Sequence, residues 1–306
     1  MCAKTGIEMT KKIVVTGGTG FIGKNLCARL VEEGWDVTDI SIDGYPVANV
    51  KNIKCNILDS AAITPIIENA DIVVHLAAIT GHDAIVNRPF ETLELDYTGT
   101  RNVLNAFVRG KGEHFIYTST GKVYGKPVYL PYDEEHPTKP STISGKSKLI
   151  TEKLLDFYSY FSQKCFSILR IFNVYGPGQG GSFLFPTIMR QLAQPKIVLG
   201  DMKPMRDYIY IDDVVEAFMA VIRNRVKGMN ILNVGSGKSY SAQQIIDMIE
   251  KITGIRHEII SEHSRYRKDE YDDERADTEK LARLGWHAVT DLETGLRKTL
   301  DSWKAK

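Results

Sequence analysis

The sequence predicts an α/β fold: a doubly wound parallel sheet with a smaller C-terminal α/β lobe for a substrate. Three observations predict it. Short apolar runs alternate with helical patterns through the first half of the 306 residues, a glycine-rich turn follows the first run, and the alternation loosens after about residue 173. Parallel strands need long crossover connections, usually helices, so this alternation favours right-handed β-α-β units.

The first elements follow from hydrophobic periodicity. Lys12–Thr16 is a short β-branched run, and Phe21–Glu33 carries apolar residues at helical spacing until Gly34 ends the pattern. Val37–Ile42 has the composition of a second strand. Further buried strands are predicted at Asp71–Leu76, His114–Thr118 and Ser167–Phe172.

The second half is less regular. Glycine and proline cluster at Tyr175–Gly181, and such residues mark turns and loops. The elements predicted after them are a helix near Phe185–Ala193, a strand near Ile197–Leu199 and a helix near Asp213–Arg223. We therefore predict a dinucleotide-binding domain over residues 1–173, joined by returning segments near 207–235. The remainder of 174–306 is predicted to be mainly a substrate-binding lobe.

Composition excludes several classes of protein. Hydrophobic residues make up 43% and charged residues 25%, and 39 basic against 38 acidic residues give a formal net charge of +1. This balance argues against a nucleic-acid partner. Four cysteines without paired spacing favour a reduced cytoplasmic protein with no disulfide frame and no metal site. No apolar run has the length of a membrane span or of a signal peptide core, so no membrane partner is predicted.

The glycine-rich turn has the context of a dinucleotide site. Thr16–Gly23 (TGGTGFIG) follows a predicted strand and opens a predicted helix. Glycines such as Gly17 and Gly20 allow a tight bend and close approach to a pyrophosphate, and Gly23 allows close helix–strand packing. The helix N-terminus offers unpaired N–H groups to the anion. The alternative is a merely structural turn.

A carboxylate for the adenosine ribose is expected about 20 residues after such a loop. The sequence offers Asp39, Ser41 and Asp43, and Asp43 has the expected spacing from Gly23. Asp39 fits equally well as a solvated strand residue. Because no arginine follows closely to hold a 2′-phosphate, we predict NAD over NADP as the cofactor.

An ordered series of motifs continues along the chain after the glycine loop. The motifs are Asn56–Asp59 (NILD), His75–Ala78 (HLAA), Tyr97–Leu104 (YTGTRNVL), Tyr117–Gly125 (YTSTGKVYG), Ser144–Glu152 (SGKSKLITE), Arg170–Gly176 (RIFNVYG), Arg206–Asp213 (RDYIYIDD) and Asn233–Gly237 (NVGSG). On these motifs the chain resembles the extended short-chain dehydrogenase/reductase family, specifically its NAD-dependent epimerase/dehydratase group related to UDP-glucose 4-epimerase. The resemblance covers nearly the whole length. It implies a Rossmann-type fold, bound NAD, a nucleotide-sugar substrate that is expected to be UDP-linked, and a homodimer across the helical segments Asp96–Arg109 and Lys146–Ser159.

The resemblance also implies roles for single residues. Lys148 matches the lysine that holds the nicotinamide ribose, and Thr120 matches a hydroxyl residue at the reacting sugar oxygen, although Thr120 also fits a simple strand-end cap. Asn56 stands where the family usually has aspartate. The residues matched to the pyrophosphate, the adenine and the cofactor-side strand end are Gly17, Gly20, Phe21, Ile22, Gly23, Asn56, Ile57, Leu76, Ala77 and Ala78.

A second group matches the nucleotide-sugar site. Asn173, Arg206 and Arg267 match positions that grip the diphosphate, and an arginine fork fits phosphate geometry. Leu199 stands where related epimerases often place an aromatic ring against the uracil. For Arg206 the alternative is an ion pair with a neighbouring aspartate. Arg267 lies in a charge-rich run that is typical of a solvated face.

One departure from the family concerns catalysis. The family has a tyrosine four residues before the lysine, and here Ser144 occupies that position before Lys148. A serine hydroxyl lacks comparable acidity and reach. Three explanations stay open: Ser144 is an introduced replacement, another group moves the proton with Ser144 passing it through water, or the protein binds its ligands with little turnover. General acid–base help is worth about 10²–10⁴-fold in rate.

The residues after Thr120 bear on the reaction. Retaining 4,6-dehydratases of the family carry Asp-Glu there, whereas this chain has Gly121 and Lys122, which disfavours their reaction. Inverting dehydratases carry Asp-Lys with the lysine as base, so Lys122 keeps half of that pattern, unless it is simply a solvated loop residue. His82 is the histidine best placed for a substitute acid or base, although a lone loop histidine is usually polar surface. We predict a C4 epimerase acting by transient oxidation, with a dehydratase or lyase using Lys122, or a catalytically impaired binding protein, as alternatives.

Overall fold

The computed structural model describes residues 11–43, 47–266 and 271–304. Its strands, in chain order, are β1 Lys12–Thr16, β2 Asp36–Ser41, β3 Lys51–Lys54, β4 Ile72–His75, β5 His114–Thr120, β6 Cys165–Ile171, β7 Asn173–Tyr175, β8 Lys196–Leu199, β9 Met205–Tyr210, β10 Gly228–Val234, β11 Ser239–Ser241, β12 Glu258–Ser261 and β13 Asp273–Glu274.

The α-helices lie between these strands and at the C-terminal end. They are α1 Phe21–Glu32, α2 Ser60–Ile67, α3 His82–Asn87, α4 Pro89–Glu94, α5 Thr100–Arg109, α6 Ile143–Phe161, α7 Leu184–Gln191, α8 Ile211–Arg223, α9 Ala242–Thr253, α10 Glu279–Ala282 and α11 Leu292–Lys304. A π-helical turn, Leu95–Gly99, leads into α5, and a 3₁₀ turn, Gly121–Val123, follows β5. Within the described ranges, no helix is both long and apolar enough to cross a bilayer.

The centre of the described chain is a seven-stranded sheet with the strand order β10-β6-β5-β4-β1-β2-β3. Every neighbouring pair in it is parallel. This confirms the predicted α/β class and its doubly wound sheet. The strands predicted from periodicity are present with ends that differ by at most two residues. The edge strand β3 was not predicted, because its sequence Lys-Asn-Ile-Lys offers a single apolar residue.

Alternate residues of the central strands pack on opposite faces of the sheet, as the two-residue period of a strand requires. Ile13 and Val15 of β1 belong to a buried cluster that includes residues of α1 and α8, such as Phe218. Val14 belongs to a second cluster with residues of α2 and α5, such as Phe107. Both faces are therefore covered by helices, which is why these parallel strands are apolar at nearly every position.

Smaller sheets form the C-terminal part of the molecule. Strand β9 pairs with β11, β13 and β7, and β8 pairs with β12. The carboxyl ends of β1, β4 and β5 share one edge of the central sheet, the place where open α/β sheets bind ligands. The division into two domains near residue 173 stays a prediction, although β10 does return to the central sheet.

Candidate active site

The glycine loop makes a tight turn between β1 and α1. Gly17 has a φ of +77°, in the left-handed region, and its N–H donates to the Ile40 carbonyl at 2.8 Å. A Cβ at Gly23 would lie 2.2 Å from the Gly17 carbonyl oxygen, so only glycine fits there. Gly20 is the N-cap of α1, and no side chain among the described residues caps that end. The turn therefore offers main-chain N–H groups to an anion, which fits a pyrophosphate.

Asp39 holds this loop in place from the neighbouring strand. It is only 1% exposed, and its Oδ1 accepts hydrogen bonds from Gly18 N at 2.6 Å and from Ser41 Oγ at 2.8 Å. Burial raises the pKa of the Asp39 carboxyl, while these donors oppose that shift. The interpretation of Asp39 as a solvated strand residue is therefore wrong. Asp39 and Ser41 are structural supports of the loop.

Of the three candidate partners for the ribose, Asp39 and Ser41 are buried and Asp43 is exposed. It lies two residues beyond β2, and its carboxylate accepts a hydrogen bond from the hydroxyl of Thr19 in the glycine loop. A ribose hydroxyl could bind the same carboxylate, whereas a 2′-phosphate would meet the negative charge of Asp43 with Asp39 behind it. Its assignment to the ribose stays a prediction.

The segment predicted to border the adenine is fixed by α5. Asn102 Nδ2 donates to the carbonyls of Ile57 and Leu58, each at 3.1 Å. Ile57 is 3% exposed, and a Cβ at Gly99 would lie 2.5 Å from its Cδ1. The Ile57 side chain therefore belongs to the core, and only its main chain is left to contact a base. Asn56 is exposed, and its Oδ1 accepts from Leu58 N.

The end of β4 packs directly against the glycine loop. His75 is buried between two hydroxyls, with Nδ1 2.6 Å from Thr16 Oγ1 and Nε2 2.8 Å from Thr100 Oγ1. Burial, and then the charge of a nearby lysine, lower the pKa of His75 to about 3, so the ring is neutral. Ala77 N donates to Thr16 Oγ1 at 3.3 Å. Residues 76–78 are partly exposed beside the loop, as a cofactor contact requires.

Ser144 and Lys148 lie one turn apart at the start of α6, and so share a face of that helix. Lys148 forms an ion pair: its Nζ lies 3.1 Å from Oδ1 of the buried Asp96. The other oxygen of Asp96 accepts from Ser147 Oγ at 2.7 Å. Burial alone would lower the pKa of Lys148, but Asp96, together with Tyr117, raises it above its ordinary value. Lys148 is therefore a fixed ammonium group.

Sequence reasoning missed Asp96 as a partner of Lys148. It lies in the π-helical turn before α5, and such turns occur often at functional sites. The local sequence gave one indication of this contact: Asp96 and Thr100 are polar side chains one turn apart, and both are buried in the structure. The local sequence does not show that they lie against α6.

Thr120 and Lys122 are held by contacts around the end of β5. Thr120 Oγ1 accepts from Lys122 N at 3.2 Å, so it does cap the 3₁₀ turn, and its own hydroxyl proton can still be donated. Lys122 Nζ donates to both carboxylate oxygens of buried Glu274, at 2.9 and 2.7 Å. Burial would raise the pKa of Glu274, but Lys122 and Arg206 lower it below its ordinary value. Lys122 is thus an ion-paired residue and not a simply solvated one.

Arg206 is buried beside the same glutamate. Its Nε lies 3.6 Å from Glu274 Oε2, and its Nη1 donates to the carbonyls of Met205 at 2.8 Å and Tyr271 at 2.7 Å. The alternative of an ion pair with a neighbouring aspartate is wrong for Asp207, which is fully buried. Its carboxylate instead accepts main-chain N–H groups of Ser236, Gly237 and Ala276.

The other predicted ligand contacts are placed differently. Asn173 is partly exposed, and its Nδ2 donates to the Asp207 carbonyl at 3.0 Å. Leu199 is 5% exposed within the main core, so its predicted side-chain contact with a uracil is corrected: packing against apolar neighbours leaves it no ligand-facing surface. His82 is exposed at the start of α3. Arg267 lies outside the described residues. The roles of Asn173 and Arg206 in binding a diphosphate stay predictions.

One further contact joins the C-terminal segment to the start of α6. The Tyr271 hydroxyl lies 2.5 Å from Ser141 Oγ, just before α6. At the other side, a Cβ at Gly145 would lie 2.5 Å from the Lys122 carbonyl oxygen, so the start of α6 packs directly on the Lys122 turn. We call Lys122, Ser141, Arg206, Tyr271 and Glu274 the inter-sheet cluster, because they link β5 and α6 to β9 and β13. Glu274 and Tyr271 belong to no recognised motif.

Comparison with known proteins agrees with this geometry. Residues 13–235 match the model of the NAD dependent epimerase/dehydratase family. The UDP-N-acetyl-alpha-D-glucosaminuronate decarboxylase of Bacillus cytotoxicus is 31% identical over 319 residues, covering 95% of this chain and 97% of the relative. Because this relative is a decarboxylase while other similar proteins are epimerases, sequence similarity of this degree does not separate the reactions.

Solved structures are similar over the same length. The UDP-glucose 4-epimerase of Thermotoga maritima, solved with UDP-glucose, is 27% identical with a TM-score of 0.89, covering 96% of this chain and 99% of that chain. The UDP-glucose 4-epimerase of Thermus thermophilus, solved with NAD, is 25% identical with a TM-score of 0.87, at 96% and 99% coverage. The likeness therefore includes the sheet, the glycine loop and the C-terminal strands.

Proposed function

The chain belongs to the NAD dependent epimerase/dehydratase family of sugar-nucleotide enzymes, and we propose that it interconverts a UDP-hexose and its C4 epimer through transient oxidation at C4. NAD is the cofactor of this family. The observation that carries the proposal is the glycine loop, held by Asp39 at the same sheet edge as Thr120 and close to α6 with Lys148. That arrangement puts a dinucleotide site beside hydroxyl and ammonium groups able to orient a sugar.

The residues of the loop fit the cofactor. Main-chain N–H groups at the start of α1 would bind the pyrophosphate, Asp43 the adenosine ribose and Lys148 the nicotinamide ribose. NAD bound there would supply the acceptor and donor of the hydride for oxidation and reduction at sugar C4. Thr120 would donate its hydroxyl proton to the reacting sugar oxygen, and the fixed ammonium of Lys148 would hold the ribose in place.

The UDP part of the proposal rests on the neighbours and on charge. The structure from Thermotoga maritima contains UDP-glucose. A nucleotide sugar carries two phosphate charges, and Arg206 presents a guanidinium whose orientation is fixed by two carbonyls and Glu274. Asn173 lies on β7, paired with β9 beside Arg206. We propose that Arg206 and Asn173 bind the diphosphate.

Dehydration with Lys122 as the base is the competing reaction. The Nζ of Lys122 is bound to both carboxylate oxygens of Glu274, a buried side chain whose pKa Lys122 and Arg206 lower below its ordinary value. A lysine held in this way by a buried carboxylate is not free to take a proton from C5 of a sugar. The ion pair therefore weighs against this alternative and favours epimerisation.

The test is product analysis with UDP-glucose and the NAD-loaded protein. Epimerisation conserves mass and gives the carbon-bound sugar proton signals of UDP-galactose in proton NMR, whereas dehydration gives a product lighter by one water. Formation of the epimer supports the proposal. A lighter product would replace it with the dehydratase, and tight binding of NAD and UDP without any product at stoichiometric enzyme would replace it with an impaired binding protein.

We also propose a homodimer across α5 and α6. Helix α6 packs on both α5 and α4, and exposed apolar side chains lie on α6 and on the π-helical turn that leads into α5. Tyr97 is 36%, Ile150 45% and Phe157 62% exposed, and clusters of such residues on an ordered face are typical of interfaces. Light scattering should give twice the chain mass. Phe157→Glu should give the monomer mass, whereas the equally drastic Val289→Glu, on an 84% exposed valine elsewhere, should not.

A further inference from the structure

The start of α6 lacks the phenol that moves a proton in related enzymes, and several other polar side chains among the described residues lie in this part of the molecule. Tyr117 lies beneath Lys148, but it is fully buried, and burial raises its pKa far above its ordinary value. Lys122 is ion-paired with Glu274. His82 is exposed at the start of α3. Neither the buried Tyr117 nor the ion-paired Lys122 is free to replace a phenol at Ser144.

Tyr271 does bring a phenol to this end of α6. Its hydroxyl oxygen lies 2.5 Å from Ser141 Oγ, although 130 residues separate the two in sequence. Ser141 is three residues before Ser144, so at most about 11 Å of extended chain separates their Cα atoms. A tyrosine from the C-terminal segment therefore reaches the N-terminal end of the helix where the family carries its own.

The position of Tyr271 is set by strand pairing and by Arg206. Arg206 Nη1 donates to its carbonyl at 2.7 Å, and Met205 N donates to the carbonyl of the next residue, Asp272, at 2.8 Å. Both donors belong to β9, whose pairing with β13 follows immediately. The tyrosine is thus anchored to a sheet, and such anchoring provides the fixed geometry that proton transfer needs.

Charged groups of both signs surround this hydroxyl. The 19-residue helix α6 begins two residues after Ser141, and the N-terminus of a helix carries a partial positive charge. Lys148 lies one turn beyond Ser144 and is paired with Asp96, and Lys122 lies on the turn that packs on Gly145 and is paired with Glu274. The phenol therefore lies at the positive end of the helix, beside lysines whose positions are fixed by ion pairs.

We propose that Tyr271 supplies the proton-transfer phenol that this chain lacks at position 144; this rests on the proposed function. In the oxidation, the hydrogen of the sugar C4–H bond leaves with its electron pair to NAD, the proton of the C4 hydroxyl passes to the ionised Tyr271 Oη, and a C4 carbonyl remains. The return step reverses both transfers. The Ser141 hydroxyl orients the phenol by their hydrogen bond.

The decisive experiment compares four proteins: wild type, Tyr271→Phe, Ser144→Tyr and the double variant. Tyr271→Phe removes one oxygen and should lower kcat with UDP-glucose about 10²–10⁴-fold, with UDP affinity unchanged within about twofold. The double variant should have a kcat at least about tenfold higher than Tyr271→Phe, because Ser144→Tyr returns a phenol to the helix. Tyr266→Phe, which removes the hydroxyl that bonds Ser261 on the same segment, is the matched control and should keep wild-type kcat.

A second readout does not need turnover. Binding of NAD should increase the tyrosinate absorbance band of the wild type and of Tyr266→Phe at slightly alkaline pH, and this increase should be missing in Tyr271→Phe. A Tyr271→Phe protein with wild-type kcat, or with the full absorbance change, would overturn the proposal. A wild type that forms no epimer would instead refute the proposed function, and the absorbance difference would still decide whether Tyr271 ionises beside the cofactor.

Discussion

The glycine loop and the start of α6 lie at the same edge of the sheet, yet they are built in different ways. The loop is made of main chain, and its glycines are required by neighbours such as Gly17 O, 2.2 Å from a Cβ at Gly23. The start of α6 and the Lys122 turn that packs on it depend on side chains whose partners are distant in sequence: Ser147 bonds Asp96, 51 residues away, and Lys122 bonds Glu274, 152 residues away.

This difference has a consequence for how each region tolerates change. A main-chain site demands a few residue types at fixed spacing, because any Cβ would collide with backbone. A side-chain site can move a chemical group to another part of the chain, provided that the fold returns it to the same place. The glycine loop therefore keeps its family pattern, while α6 carries serine at the position where the family has tyrosine.

The largest effect is expected in the side-chain region, from Lys148→Met. This change leaves the buried Asp96 carboxylate without its cation, and breaking a buried ion pair costs about 3–5 kcal/mol of unfolding free energy. Urea denaturation at neutral pH measures it. The double variant Lys148→Met with Asp96→Asn should recover most of the lost unfolding free energy. If Lys148→Met alone stayed within about 1 kcal/mol of the wild-type unfolding free energy, the ion pair would not be formed.

The same pair sets a pH dependence. The folded-state pKa of Lys148 is raised above its ordinary value, so its contribution is fully present below the unfolded-state value of about 10.4 and is lost as pH rises through the folded-state value. The difference in stability between wild type and Lys148→Met should therefore shrink only in strongly alkaline solution.

The next effect concerns the main-chain region. Gly23→Ala forces a methyl group against the Gly17 carbonyl, and overpacking of this kind costs about 1–3 kcal/mol of unfolding free energy. The loop must shift to relieve the collision, so NAD affinity measured by calorimetry should fall at least about tenfold, equivalent to about 1.4 kcal/mol. Gly180→Ala is the control, because no described atom lies within 4 Å of its added Cβ. Equal NAD affinity in both variants would contradict the tight turn.

The smallest effect concerns His75, which joins Thr16, at the start of the glycine loop, to Thr100 of α5. Its pKa is lowered to about 3 in the folded protein, against about 6.5 unfolded. The unfolded chain binds the proton first, so stability falls as pH drops below about 6.5, by about 1.4 kcal/mol per pH unit. His75→Gln should remove that part of the slope between about pH 6 and pH 4, whereas His287→Gln, at an exposed site, should leave the slope unchanged.

What the sequence predicted correctly is local. The central strands and the glycine loop depend on periodicity and spacing within a few residues, and both are present. Asp39 was misjudged because a buried carboxylate in a strand has the same local pattern as a solvated one. The prediction that Leu199 contacts a uracil is wrong because its side chain packs in the apolar core. Glu274 and Tyr271 were missed because their relation to Lys122 and Ser141 exists only after the chain has folded.

The central claim is that sugar C4 is oxidised by NAD on the glycine loop although position 144 carries serine. A single-turnover experiment tests it most directly: stoichiometric NAD-loaded protein is mixed with UDP-glucose, and the absorbance of the reduced nicotinamide is followed. We expect a transient rise and decay, with a slower rise for substrate deuterated at C4. A flat trace with both ligands demonstrably bound would contradict the claim.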